Sequence, residues 1–146
     1  MGNTSDKILA APCGIFCGEC KVYKAKDNPQ LQQALIARGM KKESVPCPGC
    51  RSVRGVCPAI DTICDTYTCA EKKGVEFCYQ CTDFPCSRLS PAVDKADILP
   101  HNLKIYNLCF ISAKGLNKWL EEAENIQNRY FQGKMVIGKG PEMPAD

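Results

Sequence analysis

The side chains here with the most evident chemistry are thiols. Twelve cysteines occur in 146 residues, near the level that marks disulfide scaffolds or metal domains. They come in order as Cys13, Cys17 and Cys20 in "CGIFCGEC", then Cys47 and Cys50 in "CPGC", then Cys57, Cys64 and Cys69, then Cys78 and Cys81 in "CYQC", Cys86 in "FPC", and finally Cys109. Three C-x2-C pairs stand at 17/20, 47/50 and 78/81. That spacing lets one tight turn deliver two thiolates to a single tetrahedral ion, and a small residue such as Gly18 or Gly49 eases the turn. Thiolate-only sites suit both zinc and iron–sulfur clusters.

Compartment separates metal from disulfide. The amino terminus "MGNTSDKILAAPCG" is polar up to Lys7 and has too short an apolar run for a secretory signal. No stretch approaches the roughly 18 apolar residues of a membrane span. The expectation is a soluble, cytoplasmic chain, where thiols stay reduced and cysteine clusters bind metal more often than they pair.

Zinc leads over iron. Ferredoxin-like runs of C-x2-C-x2-C-x3-C-P do not occur. The C-x3-C-x2-C array of Cys13, Cys17 and Cys20 matches the spacing that enzymes generating radicals from S-adenosylmethionine use for a four-iron cluster. Those enzymes surround it with most of a β/α barrel, and a full barrel needs about 200 residues or more. This chain is too short. His101 is the only histidine, so mixed Cys/His fingers are excluded except at one corner of one site. The pairs read as zinc-knuckle halves joined from distant loops.

The elements that must hold these thiols are mostly helical. "DNPQLQQALIARGM" starts with Asn28 as N-cap and Pro29 at the first helical position. "DTYTCAEKKG", with Asp65 as cap and Gly74 past its end, reads as two turns carrying Cys69. "SPAVDKADILP" reads as a helix from Ser90 that ends by Pro100. In "HNLKIYNLCFISAKG", Leu103, Tyr106 and Phe110 form one stripe and Ile105, Leu108 and Cys109 another, which makes Cys109 a small buried hydrophobe. "LNKWLEEAENIQNRYF" places Leu116, Trp119, Leu120, Ala123, Ile126 and Tyr130 at helical spacing. Strands are expected only as short hairpins around the metal turns.

The fold class expected is a small, mostly α, cysteine-rich, metal-stapled domain. An irregular zinc-knuckle lobe over 8–90 precedes a helical hairpin over 91–132 and an irregular tail over 133–146, within a single domain spanning 1–146.

The runs "APCGIFCGECKVY", "CPGC", "CAEKKGVEFCYQCTDFPCSRL" and "LKIYNL…GLNKWL" together resemble the prokaryotic domain-of-unknown-function family 3795, over about residues 8 to 120. The resemblance implies a cytoplasmic, presumed zinc-binding domain with no established reaction. It carries over Cys13, Cys17, Cys20, Cys47, Cys50, Cys64, Cys69, Cys78, Cys81 and Cys86 as the metal set, with Cys57 and Cys109 outside it. Some members end in a further C-x2-C, which "NRYFQGKMVIGKG" lacks. Ten ligands exceed the need of one ion and fall short of three complete sites. Two or more Zn2+ ions are expected, and Cys78, Cys81 and Cys86 are expected to share one with Cys69 or Cys64.

No catalytic set emerges. There is no phosphate-binding glycine loop and no G-x-S-x-G elbow, and one histidine is a thin supply of bases. The leading reading is a structural zinc protein acting as an interaction module with an unknown protein partner. An iron–sulfur or thiol-redox protein is the alternative, and a nucleic-acid-binding zinc ribbon the second. For the last, Lys41, Lys42, Arg51 and Arg54 surround "CPGC", but a net charge of only +3 and no interleaved aromatic favour a solvated face.

Overall fold

A computed structural model describes residues 4–60, 62–89 and 103–145. The helix expected from Ser90 to Pro100 lies outside the described residues, as does His101. A single turn, α1 (Thr4–Lys7), leads into the first cysteines. α2 (Lys21–Lys24) follows Cys20 directly. α3 (Pro29–Ala37) begins as its sequence dictates, with Asn28 Oδ1 accepting the Leu31 N–H at 3.0 Å and Pro29 filling the first position.

α4 (Asp65–Lys73) stops at Gly74, whose left-handed φ of 65° closes the helix. Its cap is Cys64 rather than Asp65. Asp65 instead sits in the first turn, where a carboxylate suits the positive end of the helix. Between α3 and α4, β1 (Val56–Cys57) and β2 (Thr62–Ile63) pair antiparallel, with Cys57 opposite Thr62.

α5 (Leu103–Lys114) and α6 (Leu116–Gln132) form a hairpin about Gly115. Leu103, Leu108 and Ile111 of α5 meet Trp119, Ala123 and Ile126 of α6, and the same core takes in Ala10, Phe77 and Leu89 from the cysteine-rich half. Trp119 is fully buried, and Phe16, from between two cysteines, meets its ring edge-on at 5.7 Å. A second, smaller core joins Val22, Ala25, Leu35 and Val45.

The buried face of α5 differs from the one its apolar residues suggest. Tyr106 is 48% exposed and Cys109 is exposed, so Cys109 is not a buried hydrophobe, whereas Asn107 is buried. Asn107 Nδ2 donates to the Gly14 carbonyl at 2.8 Å. The first cysteine turn thus presents a polar group to the helix, and a polar residue wins the core position.

Gly14 makes that approach possible. At φ +88° a Cβ there would lie 2.8 Å from the Lys104 carbonyl oxygen and 2.9 Å from Leu108 Cγ. Gly14→Ala is therefore expected to lower stability by about 1–3 kcal/mol through overpacking and strain. A thermal midpoint equal to that of the parent chain would contradict this docking.

The tail is not irregular. β3 (Lys134–Val136) and β4 (Gly140–Glu142) pair antiparallel, with Lys134 opposite Glu142. Gly133 lies close enough to Pro141 that a Cβ would meet its ring at 3.0 Å, so this hairpin folds back on the end of α6, remote in sequence from the cysteine turns. No described helix is long and apolar enough to cross a membrane.

Candidate functional site

Two of the three C-x2-C pairs adopt one local form. Cys17–Glu19 and Cys78–Gln80 are single 3-10 turns, and the second cysteine of each closes its turn by backbone bonding: Cys20 N–H to Cys17 O at 2.9 Å, and Cys81 N–H to Cys78 O at 3.1 Å. The third pair, "CPGC", turns differently. Gly49 has φ +113° and lies so close to Leu9 that a Cβ would meet Cδ2 at 3.0 Å. The backbone of Gly55 ties Cys50 to two more cysteines. Its N–H donates to Cys50 O at 3.0 Å, and its carbonyl accepts the N–H groups of Cys57 at 2.9 Å and Cys64 at 2.8 Å.

These turns collect eleven cysteines into two groups. A chain of electrostatic neighbours links the larger group: Cys17 with Cys13, Cys20 and Cys47, Cys47 with Cys20 and Cys57, Cys50 with Cys13, Cys17, Cys57 and Cys64, and Cys13 with Cys64. Cys69, Cys78, Cys81 and Cys86 form a smaller one around a single cavity, and Cys13, the strongest thiol influence on Cys78, links it to the larger. Burial pushes the Cys17 thiol up to about 11; the Cys50 N–H opposes this, and Cys13, Cys20 and Cys47 add to it. Cys50 is pushed up to about 12 by burial, then by Cys13, Cys17, Cys64 and Cys57. Cys78 reaches about 12 through burial, then Cys13, Cys86, Cys69 and Cys81. Burial likewise raises Cys13 and Cys47. Such crowded, half-buried thiols resist ionisation unless a cation compensates them.

The smaller group lines an open cavity of about 310 Å³, together with Lys73 and Asp83. Cys69 reaches it from α4, a rigid element. Lys73 Nζ donates to Cys81 Sγ at 3.3 Å and also to the Asp83 carboxylate. The Lys73 ammonium is held above its ordinary range, by Asp83 first and then Cys81, while Lys73 holds Asp83 below the usual carboxylate range.

Peptide N–H groups aimed at sulfur recur. Asp83 N–H donates to Cys81 Sγ and Cys50 N–H to Cys17 Sγ, each at 3.4 Å. The backbone at Ile15 and Gly49 in part opposes the burial that raises the Cys13 and Cys47 thiols. Bonds of this kind orient thiolate ligands and stabilise their charge. By donor chemistry, the set therefore fits a thiophilic ion. Among the described residues, however, no group of three or more Cys, His, Asp or Glu side chains is arranged as it would be around a metal ion.

Of the ten expected ligands, the structure places Cys69 rather than Cys64 with Cys78, Cys81 and Cys86, and puts Cys64 with Cys13 and Cys50. Cys57, outside the expected set, stands beside Cys47 and Cys50. Its signal in the sequence is the short apolar pattern around "GVC" and "TIC", which folds as β1 and β2 and returns the chain to Gly55. Arg51 is not part of a solvated face. Its Nε donates to Ala10 O at 2.7 Å, a terminal nitrogen donates to Glu76 O at 2.8 Å, and its guanidinium lies 5.0 Å from the centre of the Phe77 ring. Arg54 pairs with Glu71 at 3.1 Å. Of the four basic groups around "CPGC", Arg51 thus serves the fold and Arg54 is engaged in a surface ion pair, which weakens a phosphate-binding reading.

Fold and site together define a small, about half-helical, cysteine-rich domain with two small sheets. The family model described as protein of unknown function (DUF3795) matches residues 9–91, and the chain belongs to that family. The match holds both cysteine groups whole and leaves α5 and α6 outside. Neither a curated protein nor a solved structure matches the chain.

Proposed function

We propose that this is a cytoplasmic zinc-binding protein whose metal is mainly structural and whose task is interaction rather than catalysis. The observation that carries the reading is the gathering of four cysteines at one cavity and of seven more around the other turns, with peptide N–H groups turned to two of the sulfurs. Zinc held by four thiolates supplies a cross-link between distant segments and leaves no open position for a reacting water. Cys69, Cys78, Cys81 and Cys86 would hold one ion at the cavity, and the larger group would supply the rest. Reduced thiols free to bind metal are what a cytoplasmic compartment supplies. An interaction role is supported by Val56, Ile60 and Ile63, which stand 52%, 51% and 59% exposed on or beside the β1–β2 hairpin.

The test is purification of the full chain without oxygen, followed by elemental analysis and an absorption spectrum. A colourless protein with at least two zinc ions per chain is expected. A brown protein with iron and acid-labile sulfide overturns the zinc reading in favour of a cluster.

A further inference from the structure

Four thiols line the open cavity of about 310 Å³, and their surroundings differ. Cys81 Sγ accepts two hydrogen bonds, from Lys73 Nζ at 3.3 Å and from the Asp83 N–H at 3.4 Å. The Asp83 carboxylate pairs with the same ammonium and so fixes Lys73 against the sulfur. A cation and a peptide N–H aimed at one sulfur favour the negative charge it carries when it attacks, and cysteine oxidation concentrates at such electropositive, accessible places. The side chains of Lys73 and Asp83 are exposed, and Cys81 is partly so. A second thiol is held beside it. The 3-10 turn Cys78–Gln80, closed by Cys81 N–H to Cys78 O at 3.1 Å, sets Cα atoms three residues apart at about 6 Å. A disulfide bridges that span without moving the backbone.

We propose that Cys81 is a site of oxidation by hydrogen peroxide, with Cys78 as its resolving thiol and Lys73 as the residue that positions and polarises the reacting sulfur. The Cys81 thiolate attacks one peroxide oxygen. The S–O bond forms, the O–O bond breaks, and the departing hydroxide takes a proton from solvent to leave as water. Sulfur gives up two electrons to the peroxide and becomes a sulfenic acid. The Cys78 sulfur then attacks the Cys81 sulfur, the S–O bond breaks, and the hydroxyl leaves with the Cys78 proton as a second water. Two thiols and one peroxide thus become one disulfide and two waters. The proposal goes beyond the zinc reading and does not require it; where the ion proposed above occupies the cavity, the disulfide withdraws two of its four thiolates.

The experiment treats the reduced full chain with hydrogen peroxide under anaerobic conditions, quenches it at intervals with an alkylating reagent, and maps every cysteine by mass spectrometry. The Cys78–Cys81 disulfide is the expected first product, formed while Cys109 is still a free thiol. Cys78→Ser should instead stop at a Cys81 sulfenic acid that dimedone traps. Lys73→Met should slow the oxidation about tenfold or more with little change in thermal midpoint, and Lys73→Arg should restore most of the rate. First oxidation at another cysteine, or the parent rate in Lys73→Met, overturns the proposal. If Cys78→Ser fails to fold, the order of oxidation in the parent chain and the two Lys73 variants decide. The readout is on sulfur, so the two readings fail separately. A chain that forms this bond but carries no zinc overturns only the metal reading, and a zinc-loaded chain whose first disulfide lies elsewhere overturns only this one.

Discussion

Cys81→Ser should cost the protein one equivalent of metal and much of its soluble yield, while Cys109→Ala should cost neither. Cys81 sits in a closed C-x2-C turn beside three other thiols on one cavity. On the proposed zinc reading serine takes away a soft ligand, and it replaces the sulfur that Lys73 Nζ and the Asp83 N–H both donate to with a smaller hydroxyl oxygen. A structural zinc site contributes folding free energy on the order of 10 kcal/mol at neutral pH, and a three-ligand remnant keeps only part of that. Cys109 faces outward from α5. Truncating an exposed side chain typically changes stability by about 0.5 kcal/mol or less. Metal per chain and thermal midpoint, measured on both variants, check the pair. Loss of a full metal equivalent from Cys109→Ala would show that α5 supplies a ligand.

Local structure was legible wherever local chemistry decides it. Asn28 with Pro29 starts α3, Gly74 ends α4, and the spacing of Trp119, Ala123 and Ile126 sets the buried face of α6. The misreadings come from contacts distant in sequence. Periodicity gave α5 an apolar stripe with Cys109 in it, because nothing nearby announces that Gly14 will offer its carbonyl to Asn107 across the core. The same holds for Arg51, whose partners at Ala10 and Glu76 lie far along the chain on either side.

The candidate site divides along the same line. That cysteines would gather was evident from three C-x2-C pairs, since a tight turn is a local object. Which of them meet is tertiary. Cys64 caps α4 and Cys69 lies within it, and the helix turns the two toward different groups. Cys57 joins only because the β1–β2 hairpin folds back on Gly55, a pairing of two-residue strands too short to register as alternation.

Withdrawing metal should unfold the cysteine-rich half and leave the helical hairpin partly standing. Away from α5 and α6, the buried apolar side chains among the described residues are scattered and several are small: Ala10, Phe77 and Leu89 against the hairpin, Val22, Ala25, Leu35 and Val45 in the second core, and Leu9, Ala11, Tyr67 and Ala70 outside both. Small cores of this size need added cross-links to be stable. α5 and α6 keep apolar faces of their own, so helicity there should persist in part. Trp119 is the only tryptophan, and it lies at the junction, buried against Phe16 from the first cysteine turn. Its emission therefore reports whether the two halves remain docked. The most direct measurement is circular dichroism and tryptophan emission of the reduced, metal-loaded chain titrated with a strong chelator. The expected result is a partial loss of helical signal, a red shift of emission and a collapse of the thermal midpoint, all restored by added zinc. Unchanged dichroism, emission and midpoint after complete metal removal would contradict the account, because the cysteine-rich half would then be holding its fold without metal.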